Sequence, residues 1–332
     1  MNRARNIYYG WFIVAAALCA QFTASAIQSN SQAVFLKPMT MDLGWSRTEF
    51  TWGQTLGTLI MSGAGFFVGN LLDPMGPRSF MLVGAVCLSA SVLAMSQVET
   101  LWQYLVLRGI GITLGSLMIG NLVVNTTVSK WFVRRRAWAI AAATTGLSLS
   151  GALTPRITAA LLDAYGWRTS WAILAFALLL LVVPSALVMR RRPEDYGLLP
   201  DGDDVEAPVP AGGARVTAAT EVQWTRAEAV HTRAFWLLVL SFCLASFGTG
   251  AFSLHTVSYL QDKGYSAGEA AARFSTVYLF TAMSRPIWGS VMQRFAPRYC
   301  ASLGFLTTAS CTVGMIFFLG NGNSGVFLRR VG

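Results

Sequence analysis

Apolar residues in this chain form long uninterrupted segments rather than the short periodic stripes of a soluble protein. A helix that crosses the hydrocarbon core of a bilayer needs about twenty mostly apolar residues, and nine segments reach that length. The pattern therefore predicts nine transmembrane helices. They lie at residues 9–36, 51–72, 79–97, 101–128, 137–162, 169–189, 234–258, 272–293 and 299–319.

The composition also indicates a membrane protein, because 54% of the residues are hydrophobic and 12% are charged, whereas a soluble domain carries about 25% charged residues. The first apolar segment exceeds the roughly 7 to 15 apolar residues of a cleaved signal peptide, so we expect it to stay as the first helix. The five cysteines lie inside apolar segments without metal-ligand spacing. We predict no metal and no cofactor.

The basic residues between the helices predict the orientation, since Lys and Arg collect in cytoplasmic loops. With a cytoplasmic N-terminus, fifteen of them lie in cytoplasmic segments and five in the opposite loops. We predict a multi-pass protein of the plasma membrane, with the lipid bilayer as its partner. The net charge of +10 comes largely from these loop clusters, so we do not predict binding of nucleic acid.

A polar stretch rich in Pro, Gly and charge separates the sixth predicted helix from the seventh and is typical of a linker. An internal repeat supports this division, since "GNLLDPMGPR" at 69–78 aligns without a gap with "GSVMQRFAPR" at 289–298. Repeated halves with a site between them are a transporter architecture. We expect a six-helix bundle at 1–189, a cytoplasmic linker at 190–233, a partial bundle of three helices at 234–320 and a tail at 321–332.

The first copy of the repeat, with Gly69, Asp73, Gly76 and Arg78, resembles the loop signature between helices two and three of the major facilitator superfamily. The resemblance implies an all-α membrane fold with a six-helix first half and an incomplete second half. It also implies that these four residues form a conformational latch that favours the outward-open state; a simple interfacial turn is the alternative. Because the family plan has twelve helices, we interpret the chain as a C-terminally truncated member whose transport could be impaired.

A second resemblance is narrower. The stretch "WFVRRRAWAIAAATTGLSLSG" at 131–151 is similar to the motif that enters helix five of the monocarboxylate transporters, which are related to the oxalate:formate antiporters. Both families keep an arginine in helix eight that pairs with the substrate carboxylate, and Arg285 matches it. Lys37 lies where the monocarboxylate transporters keep a lysine. The resemblance implies a secondary transporter of small organic anions that works by alternating access, as a proton symporter or an anion exchanger.

The chemistry of Arg285 supports this role independently, because a guanidinium stays charged at any working pH and binds a carboxylate bidentately. No acidic residue occurs in the same predicted helix. We predict that Arg285 binds the substrate, with Lys37 assisting and Tyr278, two turns outward on nearly the same face, in contact with it. The alternatives are a structural contact for Arg285, interfacial snorkelling for Lys37 and packing for Tyr278.

Arg108 in the fourth helix is a candidate for proton or helix coupling, with helix packing as the alternative. His255 in the seventh helix is a candidate coupling residue as a titratable lid or gate, with an interfacial hydrogen bond as the alternative. We find no set of acid, base and nucleophile and no phosphate-binding loop in its required context, so we do not predict an enzyme. Two rival functions stay open. One is a drug or sugar carrier of the same superfamily, and the other is a truncated membrane protein that does not transport.

Overall fold

The computed structural model of the protein describes residues 8–202, 226–246, 264, 267–295 and 297–320, and every regular element in these ranges is a helix. Two π-helical segments, Ala26–Asn30 and Val106–Ile112, continue α1 and α4, and two 3-10 turns, Glu194–Tyr196 and Pro200–Gly202, follow α7. The prediction of an all-α protein is confirmed. The α-helices are α1 (Gly10–Ser25), α2 (Gln32–Leu43), α3 (Arg47–Met95), α4 (Leu101–Leu105), α5 (Thr113–Ile119), α6 (Asn121–Trp131), α7 (Arg136–Val188), α8 (Arg226–Val230), α9 (Arg233–Ser246), α10 (Ala267–Arg294) and α11 (Pro297–Gly320).

Four helical stretches of the described chain are long and apolar enough to cross a membrane. They are Gly10–Asn30, Pro74–Met95, Leu101–Trp131 and Arg136–Val188. The last of them contains 53 residues, which is more than twice the length that one crossing needs. The helix α9 is a shorter apolar helix that coincides with the first part of the predicted seventh span.

Two glycines divide the longest helices into the spans that the sequence predicts. Gly76 interrupts α3 with φ 72° and ψ 158°, and Gly166 interrupts α7 with φ 72° and ψ 171°. Glycine adopts such left-handed φ values without steric cost because it has no Cβ. The chain therefore reverses between predicted helices two and three, and again between helices five and six, at a residue that permits the turn.

The second copy of the repeat shows a comparable break. In the first copy Pro77 follows the turn at Gly76, and in the second copy Pro297 opens α11 directly after α10 ends at Arg294. Proline suits the first position of a helix because its missing N–H would have no intrahelical partner there. The gapless alignment of the two copies thus matches a helix-break-helix arrangement in both.

The residues from 8 to 189, here called the first bundle, share one apolar core. Both α1 and α3 pack on α7, and α3 also packs on α5. The rings of Phe35 and Trp171 stack in this core with 4.0 Å between their centroids. The helix α10 packs on α7 as well, which places the candidate substrate residues against the first bundle.

The start of the predicted linker packs against one end of the first bundle. The hydroxyl of Tyr8 donates to the carbonyl oxygens of Trp131 and Leu199, at 3.1 Å each, and the indole N–H of Trp131 donates to the carbonyl of Arg190 at 3.1 Å. The carboxylate of Asp201 accepts hydrogen bonds from the backbone N–H groups of residues 133 to 135. Residues 190–202 are therefore attached to the bundle, although their composition is that of a free linker.

Candidate functional site

Arg285 lies at the contact between α10 and α7. Its Nε donates a hydrogen bond to Oγ of Ser148 at 2.8 Å, and the side chain is partly buried. In the described part of the chain, no carboxylate lies within ion-pair distance of Arg285 and its two terminal nitrogens make no hydrogen bond. The side chain is thus held at one nitrogen, while four N–H donors of the fork have no protein partner there.

Small residues bring α7 and α10 together on both sides of Arg285. A Cβ atom at Gly151 would overlap the ring of Tyr278, and a Cβ atom at Gly289 would lie 2.7 Å from Cβ of Ala141. Small residues allow this close approach between membrane helices. Tyr278 and Arg285 therefore both face α7.

Arg108 forms a second polar site inside the first bundle, and its side chain is 0% exposed. Its Nη2 donates to the carbonyl of Gln28 at 2.6 Å and to Oε1 of Gln54, and its Nη1 donates to Oε1 of Gln28 at 3.3 Å. Its Nε has no partner among the described residues. Three neutral oxygens thus solvate a buried charge, which would be costly to bury without hydrogen bonds.

Arg108 and its partner Gln28 both belong to π-helical segments, because Gln28 lies in Ala26–Asn30 and Arg108 lies in Val106–Ile112. A π-helical turn widens the helix and is found frequently at functional sites. The widened turns of the first and fourth spans meet at this hydrogen bond. The hydrogen bond between Arg108 and Gln28 therefore lies where two helices are locally irregular.

A separate polar contact joins the first span to α7 near the partner of Arg285. Two residues after Gln28, the amide of Asn30 donates to Oγ of Ser150 at 2.9 Å, and Ser150 lies two residues after Ser148, the partner of Arg285. Sequence analysis did not select Gln28, Asn30, Ser148 or Ser150. The sequence does show their amide and hydroxyl groups inside apolar spans. Polar groups in such spans cost free energy and often have a function.

Lys37 and His255 are the two other residues predicted to act in binding or coupling. Lys37 lies in α2 with an exposed side chain, and its ammonium group makes no contact with Arg285 and no hydrogen bond or ion pair among the described residues. His255 lies outside the described residues, so its role stays a prediction. Among the residues that the structure describes, no group of three His, Cys, Asp or Glu side chains is placed to hold a metal ion.

The residues of the predicted latch surround the break in α3. Gly69 lies within the helix before the break, Gly76 forms the left-handed turn, and Arg78 follows it with an exposed side chain. The side chain of Asp73 lies outside the described part of the chain. The glycine turn is present, and the pairing of Asp73 with a base stays a prediction.

Comparison with known proteins identifies the family. A family model described as the Major Facilitator Superfamily matches residues 13–328. The chain is 30% identical over 196 residues to the MFS transporter asaE of Aspergillus flavus, a match that covers 58% of the chain and 44% of the relative. It is 25% identical over 185 residues to the fujikurins efflux protein of Gibberella fujikuroi, which covers 55% of the chain and 39% of the relative.

A third relative matches over a longer range. The chain is 23% identical over 323 residues to monocarboxylate transporter 6 of Mus musculus, which covers 93% of the chain and 68% of the relative. The matches to the two fungal proteins span less than half of the length of each. Since the family model covers the helices on both sides of the Pro- and Gly-rich segment, the chain belongs to the major facilitator superfamily.

Proposed function

We propose that this protein is a secondary transporter that carries small organic anions across the membrane by alternating access. The observation that supports this proposal is the environment of Arg285, which holds a hydrogen bond to Ser148 through Nε and has no carboxylate nearby among the described residues. An unneutralised guanidinium within a membrane span is costly. A substrate carboxylate would neutralise the charge and fit the planar fork of donors.

The position of Arg285 between helices supports the same proposal. In the predicted division of the chain, α7 belongs to the first half and α10 belongs to the second. Alternating access needs a site between two halves that rock about it. An anion bound beside Arg285 and Ser148 would contact both halves, so its binding would respond to their relative movement. The relative named monocarboxylate transporter 6 matches most of the chain and supports the choice of a carboxylate.

Arg108 has a different part in this proposal. Its terminal nitrogens are occupied by oxygens of Gln28 and Gln54, so it joins three predicted spans of the first bundle rather than offering donors to a substrate. We assign it to helix coupling. Transport is coupled to a proton or to the exchange of a second anion, and His255 stays a candidate for a titratable gate.

A second candidate function is the export of a larger metabolite. The observation that favours it is the similarity to fungal carriers, one of which is named an efflux protein. In that case the hydrogen bond between Arg285 and Ser148 would serve to hold α10 against α7. The substrate would then be recognised mainly by apolar and aromatic surfaces, as in most small-molecule sites.

The two functions can be separated by uptake of labelled lactate, oxalate and formate into proteoliposomes that contain the protein. We expect uptake of at least one of these anions and a loss of about a hundred-fold in Arg285→Gln, since two hydrogen bonds to a charged group contribute about 3 kcal/mol or more. Arg294→Gln is the matched control, because it removes the same charge from an exposed position at the end of the same helix.

Equal uptake by Arg285→Gln and Arg294→Gln would contradict the role of Arg285. Transport of uncharged compounds, with none of the three anions transported, would favour the second candidate. The melting temperature of each variant, measured in detergent, shows whether a loss of uptake comes from unfolding.

A further inference from the structure

A cavity of about 230 Å³ lies at the end of the first bundle where the linker begins. One wall is the break in α3, from Pro74 to Arg78, and the other consists of residues that follow α7. Three of the lining side chains are arginines, namely Arg78, Arg190 and Arg191, and no acidic residue is among the described residues that line the cavity. The described side chains that line the cavity therefore carry a net positive charge, and the carboxylate of the neighbouring Asp73 lies outside the described residues.

The three arginines differ in how they are held. Arg190 is fixed, because its Nη1 donates to the carbonyl of Leu187 at 2.7 Å and to that of Met189 at 3.2 Å. Its guanidinium also lies over the ring of Tyr196 at 5.6 Å from the centroid. Arg78 and Arg191 make no hydrogen bond or ion pair with any residue that the structure describes. Their donors remain available at the cavity.

We propose that this cavity binds a phosphate group, with Arg78, Arg190 and Arg191 as its ligands. Guanidinium forks match the oxygens of a phosphate bidentately. A volume of about 230 Å³ is smaller than the roughly 300 Å³ at which pockets for drug-sized ligands begin, so the cavity suits a headgroup or a small phosphate ester.

The surroundings of the cavity suit the phosphate of an anionic lipid. The cavity lies beside the ends of membrane-spanning helices and in the part of the chain where basic residues collect, and basic pockets of this kind bind anionic headgroups at the cytoplasmic surface. The helices that reach it expose Val83 and Leu187 to their surroundings, and such apolar positions can contact acyl chains. The proposal does not depend on which substrate the protein transports.

The test compares a lipid source of phosphate with a soluble one. The apparent Kd of the purified protein is measured for short-chain phosphatidylglycerol, for phosphatidylcholine and for soluble glycerol phosphate, by native mass spectrometry and by the shift in melting temperature. Arg191→Gln removes one proposed ligand that makes no contact needed for folding. Arg192→Gln is the matched control, because Arg192 is the next residue, carries the same charge and does not line the cavity.

We expect phosphatidylglycerol to bind more tightly than phosphatidylcholine, and Arg191→Gln to weaken this binding about five-fold, the effect of one basic residue at an anionic surface. Arg192→Gln should change it by less than about two-fold. If glycerol phosphate shows the same dependence on Arg191, the site also accepts a soluble phosphate ester. Absence of binding by both phosphate compounds, or equal effects of the two substitutions, would overturn the proposal.

Discussion

The hydrogen bond from Arg285 to Ser148 makes a quantitative prediction for the proposed anion site. Nε of Arg285 lies 2.8 Å from Oγ of Ser148, and Ser148 is only 2% exposed, so the acceptor is itself held in place. This bond fixes the orientation of the guanidinium before a ligand arrives. In Ser148→Ala the arginine side chain would have to be ordered on binding, at a cost of about 0.5 to 1.5 kcal/mol.

That cost corresponds to a rise of roughly two- to twelve-fold in the half-saturation concentration. The charge that binds the carboxylate remains, so we expect the maximal uptake rate of Ser148→Ala to stay near that of the unmodified protein. Arg285→Gln, in contrast, should lower uptake about a hundred-fold. The assay is the concentration dependence of anion uptake into proteoliposomes.

Ser290→Ala is the matched control for this experiment, because Ser290 is an exposed serine of α10 whose hydroxyl donates only to the carbonyl of Pro286 within its own helix. Its half-saturation concentration should not change. The reasoning is refuted if Ser148→Ala and Ser290→Ala have the same half-saturation concentration. It is refuted equally if Ser148→Ala lowers only the maximal rate while its melting temperature is unchanged.

Three further predictions concern packing, the linker and pH. Gly151→Ala would force α7 and α10 apart and should lower stability by about 1 to 3 kcal/mol. Gly304→Ala, where a Cβ would meet nothing within 4 Å, should not lower the melting temperature, because alanine favours a helix more than glycine does. Asp201→Asn weakens the charge-assisted hydrogen bonds that attach residues 190–202 to the bundle, so trypsin should cleave this segment faster than in the control Asp195→Asn; equal cleavage rates would contradict the attachment. Glu49 lies at the start of α3, outside the predicted spans. Its carboxylate accepts hydrogen bonds from Ser46, and these hold the pKa of Glu49 below its ordinary value; the backbone N–H has the larger effect and the hydroxyl the smaller. The stability that this carboxylate contributes is therefore present above its ordinary pKa and is lost as the pH falls through its lowered pKa. At pH 7 the unmodified protein should melt at a higher temperature than Glu49→Gln. This difference in melting temperature should disappear well below about pH 4.

The sequence predicts the helices well because a membrane span must satisfy its backbone hydrogen bonds within itself. That requirement leaves long apolar runs whose ends are visible in the sequence, and the turns at Gly76 and Gly166 follow from the one residue type that adopts a left-handed φ freely. The nearby Pro77 marks the first turn as well. These signals are local, so no knowledge of the fold is needed to find them.

The partners of the charged residues could not be predicted in the same way. Nothing in the sequence indicates that Arg285 meets Ser148 or that Arg108 meets Gln28, because each contact depends on how distant helices rotate and cross. The π-helical turns at Ala26–Asn30 and Val106–Ile112 have no clear sequence signal either, since they differ from an α-helix by a shift of one residue in hydrogen-bond register.

The attachment of residues 190–202 shows why composition alone misplaces the start of the linker. Pro, Gly and charged residues predict a free segment, and this stretch contains all three. Its hydrogen bonds to the bundle use the backbone carbonyls of Arg190 and Leu199 and the carboxylate of Asp201. None of these acceptors requires an apolar residue, so hydropathy cannot reveal the attachment.

The two close contacts of α7 with α10 limit how an anion could reach Arg285. The contact of Gly151 with Tyr278 lies two turns before Arg285 in α10, and the contact of Gly289 with Ala141 lies one turn after it. The two contacts thus close the interface of α7 with α10 on either side of the guanidinium. The proposed mechanism requires two such barriers that open in turn, and small residues at both of them let the helices close tightly without a bulky side chain that must first be moved. Because the contacts at Gly151 and Gly289 are separate, we expect a larger residue at either glycine to impair closure on one side only. Such a substitution would bias the proposed transporter toward the state that is open on that side.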